Sequence, residues 1–491
     1  MRAVAAVALT LWVREVARVL GTTTRRITAA AIVSGVLLVL FGLGLALLAG
    51  AELDGGISSE LHLSLARTSF SAAAMTAGIV AVILCLSAPP RTALQNLLDL
   101  LPVSRAAARL GQLVPVIAAG LVYSAALTST AVVVVLRTSA GVADALRGLA
   151  SYVALLACFL LGAVAVFTAL QAVAIALLRL PLQYASTFSG ALVFAGVVAV
   201  TGPDLLAQPS PADGGGALEL LPARTFARIA VAPVPAAAAV AVAWTSAVVV
   251  LLWLVSRHHV AGAPRAAIRL LRRTRPFRRT AWWGQLWAEV LIAVRTPQFV
   301  VSALLLPLGV LAVWVLARTV PASALIVPTL AGSLPVLPFV LAVNAVGRTL
   351  RTQWLSRLVG GDRVPLLGPK ALAAASAGVA LGAPVLVAVL VTGLIPPAQI
   401  PDIVVRCLLG LTAGLLCGAI VPYSEEQPLS ASAAGFLLAL VYMSVTLTAG
   451  WVAAVAAPGT DRVLILAAIT VLGGAYAAVA ARQSRREPAR A

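Results

Sequence analysis

Charge is what this chain has least of. Only 10% of its 491 residues are charged, against the roughly 25% of ordinary soluble domains. With 61% hydrophobic residues and a mean hydropathy of +1.05, no soluble fold has enough interior to hide the apolar surface. Acid is scarcer than base, with 16 Asp and Glu against 35 Lys and Arg. Every acid can be placed in a loop, a tail or an interfacial helix, and none falls near the middle of an apolar run. Proton-coupled carriers commonly need an intramembrane carboxylate or histidine, so this absence counts against that class. Lysine is nearly missing: Lys370 is the only one, and the preference for Arg reads as a coding bias. The four cysteines, Cys85, Cys158, Cys407 and Cys417, all lie within apolar runs, where they act as small apolar residues and form neither a disulfide framework nor a metal motif. No G-x-x-x-x-G-K-[ST] occurs, so the chain has no phosphate loop of its own. The run Gly214 to Gly216 reads as a flexible connector. His62 is expected in an outer loop and His258 and His259 in a solvated basic segment, and Ser, His and Asp form no recognisable nucleophilic constellation.

Apolar runs recur along the chain, each long enough to cross a hydrocarbon core of about 20 helical residues. Long unbroken runs exclude the ten-residue alternation of a membrane barrel and leave helices. The expected fold is all-α and polytopic, with spans at 27–50, 67–88, 108–136, 149–178, 187–201 and 234–255, and again at 298–318, 325–345, 371–394, 402–421, 431–449 and 462–481. These make two six-helix membrane halves, 1–256 and 281–491, joined by a basic linker at 257–280. Arg14, Glu15 and Arg18 interrupt the short apolar stretch from Met1 to Val13. A cleaved signal peptide is therefore not expected.

Arginine sets the orientation. Eight arginines and no acid lie between Arg257 and Arg279, which assigns that segment to the cytoplasm. Arg91, Arg105, Arg109, Arg348, Arg351, Arg357, Arg363 and the tail Arg482, Arg485 and Arg486 agree, while Glu52, Asp54, Glu60, Asp144, Asp204, Asp213 and Glu219 fall on the opposite side. Both termini are expected in the cytoplasm. The net charge of +19 is explained by this rule. No basic domain with interleaved aromatics is present, so nucleic acid is not an expected partner and membrane lipid is.

The halves resemble each other locally, as a duplicated unit requires. Leu11-Trp12-Val13-Arg14-Glu15-Val16 precedes the first span and Leu286-Trp287-Ala288-Glu289-Val290 the seventh. Leu9, Trp12, Val13, Val16 and Leu20 share one helical face with Arg14 and Arg18 opposite. That is the pattern of a helix lying in the headgroup layer with its tryptophan at the interface. Between spans two and three, Leu94, Leu97, Leu98 and Leu101 recur at helical spacing with Gln95, Asn96 and Asp99 opposite. In the second half Leu350, Trp354 and Leu358 line one face, followed by Gly361-Asp362-Arg363. Ser104 and Asp362 stand at matching places, each able to cap the helix that follows. Such amphipathic helices either float on the lipid or dock into a partner protein.

The order of an interfacial helix, two spans, a cytoplasmic helical segment, three spans, an outer loop and a sixth span resembles the membrane domains of type-2 ABC exporters. Leu100-Leu101-Pro102-Val103-Ser104-Arg105, continuing to Leu110-Gly111-Gln112-Leu113, is similar to the LPVSR…GKLL segment of those permeases, with Gln112 where lysine is expected. Asn344-Ala345-Val346-Gly347, Trp354, Gly361-Asp362-Arg363, Gly368-Pro369-Lys370-Ala371-Leu372-Ala373 and Pro422-Tyr423-Ser424-Glu425-Glu426-Gln427-Pro428 resemble segments of actinobacterial members. The resemblance implies that one chain supplies both membrane halves of an exporter and that a separate ABC ATPase docks below in two copies. ATP would then be bound and hydrolysed by that partner, and this chain would carry no catalytic, cofactor or metal residues. It also assigns Leu94, Leu97, Leu98, Asp99, Leu101, Arg105, Trp354, Leu358, Asp362 and Arg363 to ATPase coupling, while Trp12, Glu15, Trp287 and Glu289 mark the two expected interfacial helices. The transported substrate is left open.

Two rival readings stand beside this one. A secondary carrier of twelve spans is the first: Gly360-Gly361-Asp362-Arg363 resembles a carrier loop but lacks the Gly-Arg-Arg that follows in such loops. The second is a membrane enzyme acting on lipid-linked substrates, with the outer acids Asp204, Asp213 and Glu219 as its chemistry. Solvated loop charges are the commoner meaning of such acids.

Overall fold

The computed structural model describes residues 2–19, 59–87, 105–206, 217–232, 234–257, 281–319, 326–347, 367–422, 428–455 and 459–486, with scattered positions between 23 and 44. It divides into two compact units, Met1–Arg265 and Ala266–Ala491. Among the described residues every regular element is helical, and nine helices are long and apolar enough to cross a membrane. A bent pair of shorter helices makes a tenth. The protein is therefore an all-α, multi-pass integral membrane protein. The expected span at 27–50 lies largely outside the described residues.

In the first unit, helix α1 spans Arg2–Val19, α2 Ser59–Ser87, α3 Arg105–Leu127, α4 Ser129–Thr138, α5 Val142–Ala176, α6 Leu182–Leu206, α7 Pro222–Val231 and α8 Pro235–Arg257. Helix α1 lies on α3. Helix α2 packs on α3, α5 and α6, and α5 packs on α6 and α8. The core is small-residue and aromatic at once: Phe70, Ala73, Ala74, Ala77 and Leu155 are each completely buried, and Phe70 meets Tyr152 edge to face, ring centroids 6.3 Å apart. Such a stack of alanines lets helix backbones approach closely, which supplies the packing that replaces a hydrophobic driving force in lipid.

The expected span 108–136 is divided at Thr128. The Thr128 hydroxyl donates to the Ser124 carbonyl at 2.7 Å and meets the Tyr152 hydroxyl at 2.5 Å. Back-bonding of this kind competes with the helix ladder and ends α3 there. Helix α7 was not foreseen at all, since it falls in the outer loop between the expected spans 187–201 and 234–255. Its start is nonetheless written in the sequence: Pro222 sits at the first helical position, where its missing N–H costs nothing.

In the second unit, α9 spans Ala281–Val294, α10 Pro297–Thr319, α11 Ile326–Ser333, α12 Leu337–Val340, α13 Leu367–Val391, α14 Ile400–Ile420, α15 Pro428–Val455 and α16 Thr460–Arg486. A 3-10 turn, Leu341–Asn344, continues α12. Helix α9 lies on α13. Helix α12 packs on α13 and α14, and α14 packs on α15 and α16. The elbow between α9 and α10 is made by Thr296-Pro297. The proline disfavours helical backbone at the residue before it and then starts α10 at its first turn, with Thr296 Oγ1 accepting from the Phe299 N–H at 3.4 Å.

The expected straight span 325–345 is bent by 42°. Pro335 and Pro338 remove backbone donors three residues apart, and a proline ring clashes with the preceding turn. The surroundings complete the break: the Cys407 thiol donates to the Pro335 carbonyl at 3.6 Å. A Cβ on Gly382 would stand 2.8 Å from that same oxygen, and one on Gly418 would stand 2.2 Å from the Val343 carbonyl oxygen. Non-helical backbone at membrane depth is tolerated where protein covers it, and here Gly382 and Gly418 allow that cover to come close.

Candidate functional site

Two polar constellations stand out, one in each unit. The first is a buried charge cluster in the first unit. Asp204 lies in the last turn of α6, Glu219 in the 3-10 turn Ala217–Leu220, Arg224 and Arg228 on α7, and Arg67 and Ser71 on α2. Arg224 donates through Nε to Asp204 Oδ1 at 2.6 Å, and the Ser71 hydroxyl donates to Asp204 Oδ2 at 2.9 Å. Arg67 donates through Nη2 to Glu219 Oε1 at 2.8 Å, while Arg228 Nε stands 3.1 Å from Oε2 and Arg224 Nη1 3.5 Å from Oε1. The side chains of Asp204, Glu219 and Arg224 are 4%, 7% and 7% exposed, so these two acids are not the solvated loop charges expected from sequence. Asp213 lies outside the described residues.

Three guanidiniums share two carboxylates, so no acid in the cluster is left without a cation. The cluster ties α7 to α2 and α6 at one end. At its other end, Arg147 on α5 donates to the Val231 carbonyl at 3.2 Å, satisfying an orphan acceptor at the helix C-terminus. Trp244 on α8 adds an indole bond to the Leu220 carbonyl at 2.8 Å. Helix α7 is thus held at both ends, and its Phe226 and Ala227 are buried between them.

The second constellation lies where α9 meets α13. Lys370, in the first turn of α13, has a side chain only 2% exposed, and its Nζ stands 3.8 Å from Oε1 of Glu289, itself 11% exposed. A cavity of about 30 Å³ adjoins them, lined also by Thr296, Phe299 and Ala342; that is room enough for water. The Trp287 indole N–H and the Tyr476 hydroxyl are both buried and have no hydrogen-bond partner among the described residues. Sequence reasoning placed Glu289 on an interfacial helix. The structure places it on α9 and adds what was missed: it stands beside the chain's only lysine.

The other expected positions are distributed as follows. Leu94, Leu97, Leu98, Asp99, Leu101, Trp354, Leu358, Asp362 and Arg363 lie outside the described residues, and Arg105 is described only as the first backbone residue of α3. Trp12 and Glu15 lie in α1 with side chains outside the described set. In chain order, the segment 88–104 runs from α2 to α3 and the segment 348–366 from the Leu341–Asn344 turn to α13. Both precede the helix on which the first helix of their own unit, α1 or α9, lies. Arg67, Ser71, Arg224 and Arg228 were not singled out, and Lys370 was noted as the only lysine and as part of the segment 368–373 but given no role of its own. The signal available for α7 was the pair Arg224 and Arg228 at helical spacing opposite Phe226 and Ile229.

Long apolar helices packed in this way define the class: a multi-pass integral membrane protein, consistent with a transporter fold in general. Comparison with protein-family models, with curated proteins and with solved structures returns no match.

Proposed function

We propose that the chain is the membrane-spanning permease subunit of an ATP-driven exporter of the type-2 ABC class, taking its energy from a separate ATPase bound in two copies. In this reading the segment 27–50 and helix α15 complete twelve spans in two pseudo-repeated halves, both termini are cytoplasmic, and the chain binds no nucleotide itself. The observation that carries it is the repeated neighbour order inside each unit. Helix α1 lies on α3 as α9 lies on α13. Helix α5 packs against α2, α6 and α8 as α14 packs against the bent segment, α15 and α16. A duplicated six-span unit accounts for both patterns at once. The segments 94–105 and 350–363 then sit between equivalent helices, where amphipathic levers would receive an ATPase. Closing of the ATPases would tilt the halves through these levers and open a pathway outward.

The test is mild-detergent purification of the tagged chain from its native host, with mass spectrometry of what accompanies it and an ATPase assay on the complex. A stoichiometric ABC ATPase with ATP hydrolysis is the expected result. Its repeated absence, with the chain intact, would overturn the reading. An ion-coupled carrier is the second reading, favoured by one observation: Asp204 and Glu219 are buried, and Glu289 is partly buried, beside cations. Uptake into vesicles driven by an imposed proton gradient without ATP would select it.

A further inference from the structure

A cavity of about 160 Å³ opens at the end of the first unit where α4 turns into α5. We propose that it is a binding site for a small organic ammonium, a compact apolar body carrying one amine. Its inner wall is apolar: Phe70 is completely buried, and Ala66 and Val135 are each 6% exposed. Val231, the last residue of α7, closes one side. The rim is polar, formed by His62, Ser69, Ser139 and Asp144. Ser139 has already placed its proton on the Val135 carbonyl at 2.6 Å, which leaves its oxygen as an acceptor towards a ligand.

Size and charge together set the ligand class. An apolar cavity of about 150 Å³ accepts a benzene ring, so this one has room for a ring with a short polar arm. Asp144 is the only lining residue with a full charge when His62 is neutral, and no lysine or arginine lines the cavity. A cation is therefore preferred over a neutral or anionic head. Arg147 pairs with Asp144 Oδ1 at 2.9 Å, with the two side chains 26% and 39% exposed. Exposed pairs of that kind hold each other weakly, so a ligand ammonium can share the carboxylate. Arg147 also bonds the Val231 carbonyl, which ties the charged rim to the apolar side wall and keeps the cavity's shape. This inference stands apart from the exporter reading, since it needs only the geometry of the first unit.

The test uses the full chain in lipid nanodiscs with 4-fluorobenzylamine as the probe, followed by fluorine NMR, and 4-fluorobenzyl alcohol as the neutral isostere. A ligand of about nine non-hydrogen atoms is expected to saturate with a dissociation constant on the order of 1 mM. The alcohol and the Asp144→Asn variant should each weaken binding about tenfold, the scale of one lost charge-assisted contact. Two variants fill the cavity from different walls, Ala66→Phe from the core and Ser139→Leu from the rim. Whichever of them keeps the wild-type elution profile and helical circular dichroism should abolish saturable binding. Absence of saturation in the wild type would overturn the proposal, as would binding unchanged by a folded cavity-filling variant. Equal affinity for the amine and the alcohol, unchanged in Asp144→Asn, would overturn the choice of a cation.

Discussion

Glu219 is the acid whose removal should be felt most in the first unit. Its carboxylate is 7% exposed and receives Arg67 at 2.8 Å, Arg228 at 3.1 Å and Arg224 at 3.5 Å. In Glu219→Ala, three guanidiniums face Asp204 alone. Removing one member of a buried ion pair costs about 3–5 kcal/mol, because the partner charge stays buried. Arg228 is 38% exposed and turns to solvent with little loss, while Arg67 at 17% and Arg224 at 7% have less freedom. Arg224 also keeps Asp204. The lower end, about 3 kcal/mol, is therefore expected. For a unit of this size each kcal/mol moves the midpoint by about 2 °C or more, so thermal unfolding in nanodiscs should fall by about 6 °C. The double variant Arg67→Met with Glu219→Leu should recover much of that loss, since an apolar pair of similar volume replaces the ionic one. Asp144→Asn, which breaks a largely exposed pair, should move the midpoint by no more than about 2 °C. A midpoint for Glu219→Ala within the Asp144→Asn range, or a double variant worse than the single, would refute the reasoning that these charges hold α7 in place.

Gly418→Ala should abolish the folded protein in fluorescence-detected size exclusion, because its Cβ would press on the Val343 backbone; Gly473→Ala, which meets nothing within 4 Å, should be neutral or gain up to about 1 kcal/mol from helix propensity. Lys370→Met should lower the thermal midpoint by taking one cation from beside the partly buried Glu289, and adding Glu289→Leu should restore it; equal midpoints for the single and double variants would show that the two residues do not act together. Asp99→Ala and Arg363→Ala are expected to uncouple ATP hydrolysis from transport in the complex while leaving the thermal midpoint of the isolated chain unchanged. Wild-type partner binding and turnover in both would remove these segments as levers.

How much of this was legible in the sequence depends on which physical signal each element carries. Long apolar helices announce themselves by composition: 298–318 and 402–421 were expected and Pro297–Thr319 and Ile400–Ile420 are found. Helix α5 starts at Val142, ahead of the span expected from residue 149, because hydropathy alone does not count its more polar first turns. The bend at Pro335 was missed because hydropathy does not register backbone donors. The charge cluster was missed for another reason. Asp204 and Glu219 are 15 residues apart and Arg67 lies 152 residues from Glu219, so nothing local joins them. What places them together is α7, a ten-residue helix that is too polar for a span and too short to stand out. The Glu289–Lys370 contact was half visible, as two landmarks of the second half whose meeting depends on α9 lying along α13.

Lys370 is the chain's only lysine, and the folded second unit keeps it 2% exposed. Amine-directed reagents therefore find no side-chain target on the intact fold, and the protein will be silent in lysine cross-linking and slow to yield at that position to trypsin. The same scarcity turns one residue into a gauge. Any labelling of a lysine side chain reports that α9 has lifted from α13, and its rate, measured with and without a bound partner, times that movement without a single engineered probe.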